Sequence, residues 1–133
     1  MTKIESKARS INQSSEVIFN FLSDFNQFEH LMPDKVINWS SSSDTCQFTI
    51  SGIASLGMKI VEKQPFNRIH MTHFGNVPFN FDFEVQIHAV DQTKSQVQLV
   101  MNAELNAMLK MLAVKPLGDF LEKLLDQLET HTF

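Results

Sequence analysis

Pro116-Leu117-Gly118-Asp119-Phe120-Leu121-Glu122-Lys123-Leu124-Leu125-Asp126-Gln127-Leu128 decides the fold of this chain. At about 100° per residue, Leu117, Phe120, Leu121, Leu124 and Leu128 fall on one side of a helical wheel. A long amphipathic helix therefore closes the sequence. Just upstream, Leu105, Met108, Leu109 and Leu112 form a second stripe, rotated from the first by more than roughly 100°. One straight helix cannot aim both stripes at the same sheet. Pro116 lies between them, and an interior proline removes a backbone hydrogen bond and kinks or breaks a helix. The pattern predicts two helical pieces, about residues 106–113 and 116–130, with a change of direction between them.

What this helix packs on is written in the preceding hundred residues. Phe79, Phe81, Phe83, Val85 and Ile87 alternate with Asn80, Asp82, Glu84, Gln86 and His88, the period-two pattern of a half-buried antiparallel strand. Residues 36–40, 45–51, 58–64, 68–73 and 96–104 also read as strands, separated by turn signals such as Ser40–Ser43, Pro65 and Gly75-Asn76. The first strand, residues 3–10, carries charge on one face and Ile4 with small residues on the other. Its basic residues Lys3, Lys7 and Arg9 read as a solvated edge face. Ser14 caps a short helix bearing Val17, Ile18, Phe21 and Leu22. Asp24 caps a second with Phe25, Phe28 and Leu31, which Pro33 ends. Gly52 and Gly57 are candidate points for bending the sheet.

The class is thus α+β in a single domain spanning 1–133: a curved seven-stranded antiparallel sheet wrapped around a long C-terminal helix, with two short helices between strands 1 and 2. Three segments carry a resemblance beyond this order: Ile11 to Phe19, Leu31-Met32-Pro33, and Leu117 to Leu128. Together they resemble the helix-grip fold of the START-like (SRPBCC) superfamily, in particular its small stand-alone bacterial members. That superfamily includes lipid-transfer domains, pollen-allergen relatives, polyketide cyclases and aromatases, and chaperone activators. The resemblance implies a hydrophobic pocket between sheet and helix. It implies no common chemistry.

Composition narrows the function classes. A net charge of −4 argues against nucleic acid, which selects basic surfaces. No run approaches the roughly 18 apolar residues of a membrane span, and the polar start shows no signal peptide. The single cysteine, Cys46, forms no internal disulfide and fits a reducing cytoplasm. A homodimer is compatible with the sequence, which does not specify it. No cofactor motif and no metal spacing is present: His70 and His73 lie on opposite faces of a strand.

Twelve phenylalanines, one tryptophan and no tyrosine suit a dry interior, as core or as cavity lining. An empty void costs about 24 cal/mol per Å³, so ~300 Å³ would cost ~7 kcal/mol. That rivals the ~5–15 kcal/mol stability of a whole domain. Either phenylalanine rings narrow the pocket, or a ligand or water fills it. By strand parity and helix face, the expected lining is Trp39, Phe48, Met71, Phe81, Phe83, Met101, Met108, Leu112 and Phe120. The reading is binding or transport of a small hydrophobic ligand, lipid or polyketide-like. The alternatives are a cyclase or aromatase-type enzyme and a chaperone-activator-like interaction protein. An enzyme needs polar groups inside, and Glu62 and His73 are the two that parity turns inward. Asp82 and Glu84 share the opposite face from the phenylalanine row and read as solvated.

Overall fold

In the computed structural model, which describes residues 1–133, Thr2–Glu5 (β1) and Arg9–Ile11 (β2) both pair with the last strand, Lys94–Ala103 (β8). The expected single first strand is thus split. Ile4 pairs with Met101 and Ile11 with Ser95, so the register slips by one residue between the two pieces. The slip has a physical cause: Ile4 and Ile11 are both buried yet have opposite parity, and one extra residue brings both inward. Ser6 holds the break. Its amide donates to the Leu99 carbonyl at 2.9 Å, and its Oγ accepts from the Leu99 amide at 3.0 Å.

Two short helices follow, Ser15–Leu22 (α1) and Phe25–Phe28 (α2). Ser14 Oγ accepts from the Val17 amide and Asp24 Oδ1 from the Asn26 amide, so each helix has its side-chain cap. The face of α1 that packs inward is Ile18, Phe19 and Leu22, with Val17 turned outward. Phe25, Phe28 and Leu31 are buried, Leu31 from a single 3₁₀ turn after α2.

Five more antiparallel strands, Val36–Ser41 (β3), Thr45–Ile50 (β4), Ala54–Gln64 (β5), Arg68–His73 (β6) and Phe81–Asp91 (β7), complete a sheet ordered β1/β2–β8–β7–β6–β5–β4–β3. With β1 and β2 sharing one place, it has seven positions. Phe81, Phe83, Val85 and Ile87 of β7 and Val97, Leu99, Met101 and Ala103 of β8 are buried on the concave face, as their alternation requires. Bulges interrupt the ladder between Ile37 and Ser40, Ile60 and Glu62, and Ala89 and Asp91. Each adds local twist and bend, so they supply curvature that the glycines had been expected to supply. Gly52 sits in the β4–β5 loop with φ +80°. Gly57 lies in β5 where the chain after β6 crosses closely: the Phe74 amide donates to the Gly57 carbonyl at 2.8 Å, and a Cβ on Gly57 would collide with the Phe74 carbonyl. Gly57→Ala is expected to cost about 1–3 kcal/mol, the usual range for overpacking, measured as a lower urea midpoint.

The closing element is one helix, Ala107–Thr130 (α3), continuous through Pro116. The expected division at 113–116 does not occur. Pro116 has no amide for the Leu112 carbonyl, but Leu112 faces water, which can serve the orphaned group. The conflict between the two apolar stripes is resolved by splitting the first: Met108 and Leu112 stay in solvent, while Leu105 and Leu109 pack partly buried against the core. Ala113, Leu117, Phe120, Leu121, Leu124, Leu125 and Leu128 are buried against the sheet and the 3₁₀ turn.

Arg9 ties the helix to the sheet edge. Its guanidinium donates to Asp126 at 2.7 Å, Glu129 at 2.9 Å and Glu122 at 3.1 Å, and the Lys7 amide donates to Glu122 at 2.9 Å. The hydrogen bond to Asp126 does most to raise the Arg9 pKa above its ordinary value. Arg9 is therefore a clamp on α3 rather than part of a merely solvated edge.

On the convex face, Arg68 joins Glu84 (Nε–Oε1 2.7 Å, Nη2–Oε2 3.0 Å) to Glu62 (2.6 Å). The Arg68 hydrogen bond holds the Glu84 carboxyl below the usual carboxylate range. A carboxyl depressed in the folded state adds stability above its unfolded pKa of about 4.3 and loses it as pH falls through the folded value. Partial exposure limits this contribution to ~1 kcal/mol or less. Urea unfolding at pH 7 and pH 3 is expected to show this acid-side loss in the wild type and a smaller one in Arg68→Gln.

Candidate functional site

The concave face of the sheet and the inner face of α3 enclose an apolar chamber. Its sheet side is Phe48 on β4, Leu56 and Met58 on β5, Phe83 on β7 and Met101 on β8. Its helical side is Phe28, Met32, Phe120 and Leu124. These residues face one another because β4 pairs with β5 at Phe48–Leu56 and β7 with β8 at Phe83–Met101, which sets each pair on the concave face. About 260 Å³ of space lies between the lining atoms, but only about 10 Å³ of it admits the centre of a water molecule. That is room for about one water, with no polar side chain to hold it. The rings and thioethers have narrowed the pocket, one of the two outcomes the cost of a void allows.

Aromatic packing runs through one wall. Trp39 stacks on Phe48 at a centroid distance of 5.3 Å, and Phe48 stacks on Phe120 at 6.3 Å. The bulge in β3 aims Trp39 inward: Asn38, with φ +58°, and Trp39 together span the place opposite Phe48. The Trp39 indole Nε1 is buried without a hydrogen-bond partner, an arrangement that typically costs about 1–3 kcal/mol.

Of the nine residues expected to line the pocket, Phe48, Phe83, Met101 and Phe120 do so. Trp39 stands behind Phe48, while Met71 and Phe81 are buried in the core beside the chamber rather than on its wall. Met108 and Leu112 are corrections: they are 70% and 66% exposed on the first turns of α3. A straight helix through Pro116 points these two away from the sheet, while Leu109 of the same stripe stays against the core. Phe28, Met32, Leu56 and Leu124 line the chamber without having been singled out. Leu124 follows Phe120 by one turn, a signal present in the sequence. The position of Phe28 and Met32 depends on how the α2 segment docks across the chamber, which no local pattern specifies.

Glu62 is also a correction. The bulge after Ile60 reverses its parity and puts it on the convex face, exposed and paired with Arg68. His73 is half-buried at the end of β6, its Nδ1 3.3 Å from the Phe81 carbonyl oxygen and 3.4 Å from the Phe81 amide. It serves the start of β7 and is not part of the chamber wall. No three His, Cys, Asp or Glu side chains converge as a metal site, and no helix is long and apolar enough to cross a membrane.

Outside the chamber lies an open cleft between Pro33–Lys35, the loop after Ile50, and the middle of α3, with about 400 Å³ for water centres. Its walls are largely polar. Lys115 pairs with Asp119 at 3.6 Å, and Glu122 and Asp126 are held by Arg9.

A seven-position antiparallel sheet closed around its own C-terminal helix, with two short helices after the first strand, is the helix-grip fold of START-like proteins. Solved structures agree. A START superfamily protein from Mycobacterium smegmatis superposes with a TM-score of 0.71 at 16% identity, covering 96% of this chain and 94% of its own. The protein XoxI from Bacillus cereus gives 0.77 at 12% identity, with 97% and 94% covered. Norcoclaurine synthase from Thalictrum flavum, in complex with dopamine and hydroxybenzaldehyde, gives 0.70 at 9% identity, with 96% and 84% covered. No protein-family model and no curated protein matches the sequence.

Proposed function

We propose that this protein binds a small hydrophobic molecule, lipid or polyketide-like, in the chamber between sheet and α3, and carries it in the cytoplasm rather than converting it. The observation that supports this most is the chamber's composition. All nine lining side chains are apolar, and none offers an acid, a base or a nucleophile. Binding there draws on apolar burial, roughly 25 cal/mol per Å² removed from water. Met32, Met58 and Met101 supply the adaptability: unbranched thioethers re-pack around different shapes at low cost. A ligand would displace these side chains rather than fill a standing hole. Norcoclaurine synthase, with the same fold, is in complex with two small aromatic compounds, so the fold admits small-molecule guests in that protein.

The test is direct. Protein purified from its own host is extracted with organic solvent and examined by mass spectrometry, and fluorescent fatty-acid analogues are titrated against the stripped protein. A stoichiometric bound lipid, or saturable analogue binding lost in Phe83→Asp but kept in the exposed-site control Met111→Asp, is the expected result. No extractable ligand together with no analogue binding would overturn the reading.

A further inference from the structure

Phe120 is the only residue shared by the wall of the open cleft and the wall of the closed chamber. Its ring leans on Phe48 at 6.3 Å and separates about 400 Å³ of water-accessible cleft from a dry interior. One turn before it, Pro116 also lines the cleft and leaves the Leu112 carbonyl without its helical amide. The helix is thus short of one hydrogen bond in the turn that precedes Phe120. The cleft's charges are unevenly committed. Asp119 is paired with Lys115, and Glu122 and Asp126 with Arg9. Lys35 and Lys123 line the same cleft without a carboxylate in ion-pair range.

Resting on the hydrophobic-ligand reading, we propose that Phe120 is the gate of the chamber, and that the molecule it admits is a single-chain amphiphile with an anionic end. The chain passes the displaced ring to lie against Phe48 and Phe83. The anionic end stays in the cleft, where Lys35 and Lys123 neutralise it without leaving water. A neutral molecule of the same length gains nothing from the lysines, and a cationic one is repelled by them. The chamber's lack of polar groups explains why the charged end must remain outside.

Trp39, the one tryptophan, stacks on Phe48 and reports chamber occupancy by its emission. Octanoate, octanol and octyltrimethylammonium are titrated into the full chain, with stopped-flow traces for uptake rates. Octanoate is expected to bind more tightly than octanol, and the cation least. The Lys35→Gln/Lys123→Gln double variant is expected to weaken octanoate roughly fivefold, the scale of two partly exposed ion pairs, and to leave octanol unchanged. Phe120→Leu is expected to speed uptake of both; Phe120→Met serves the same purpose if the leucine variant melts early. Equal affinity for octanoate and octanol, or an unchanged octanoate affinity in the lysine variant, overturns the anionic end while leaving the hydrophobic-ligand reading intact. Unchanged uptake rates in both Phe120 variants overturn the gate. Failure of all three probes to bind wild type and both Phe120 variants overturns the hydrophobic-ligand reading itself, and this inference with it.

Discussion

Phe83→Ala is expected to lower the unfolding free energy by about 3–5 kcal/mol, the range for truncating a buried phenylalanine. Phe83 sits near the start of β7, 1% exposed, between Met71 on β6 and Met101 on β8. Truncation removes the transfer free energy of the ring and joins its vacated space to the existing chamber. Apolar voids of this kind stay dry and accept small apolar guests. Saturating benzene is therefore expected to restore part of the loss, by about 2.7 kcal/mol at a hundred times its Kd. Urea denaturation with and without benzene measures both effects. A loss below ~1 kcal/mol would mean that the wall collapses into the space, and a full loss that benzene leaves untouched would mean that the enlarged chamber takes no guest.

The largest kinetic effect is expected at Cys46. This residue lies on β4 opposite Met58 and is 1% exposed. Burial pushes its thiol pKa up to about 12, partly offset by a hydrogen bond to the Met58 backbone. Thiolate is the reacting species, and an ordinary cysteine titrates near 8.5, so at pH 8 the native thiolate is depleted on the order of a thousandfold. Labelling by a disulfide reagent at pH 8 is expected to be slower in the native protein by at least that factor, and the difference is expected to vanish in denaturing urea. Rapid labelling of the native chain would show that β4 opens easily and that this end of the sheet is not a fixed wall.

Most of the architecture was legible because it rests on local periodicity. The alternation from Phe79 to His88 marked a half-buried strand, which begins at Phe81 because Phe79 and Asn80 belong to the preceding turn, and the stripe from Leu117 to Leu128 could only be one face of a helix. Caps at Ser14 and Asp24 were readable because a side-chain oxygen there answers an orphaned amide two or three residues on. The candidate site was legible where parity ran unbroken, as at Phe48, Phe83 and Met101, and along α3 at Phe120.

The corrections within the sheet share one origin. A bulge adds a single residue, and with a period of two that residue moves every later side chain in the strand to the other face. Glu62 left the interior this way, whereas Trp39 reaches Phe48, on the expected side, because of the bulge in β3. Ile4 and Ile11 could not share one regular strand for the same reason. Nothing in a dozen residues of sequence marks where a bulge falls, because it is selected by how the whole sheet must bend around α3.

Sequence by itself determined the order of elements and the apolar character of the interior, since these follow from side-chain type and spacing. Tertiary structure alone decided that α3 runs straight through Pro116, that Met108 and Leu112 face water, and that Phe120 stands between the cleft and the chamber. Those outcomes depend on competition between a missing hydrogen bond and the burial of one helical face, and that balance exists only once sheet and helix have met.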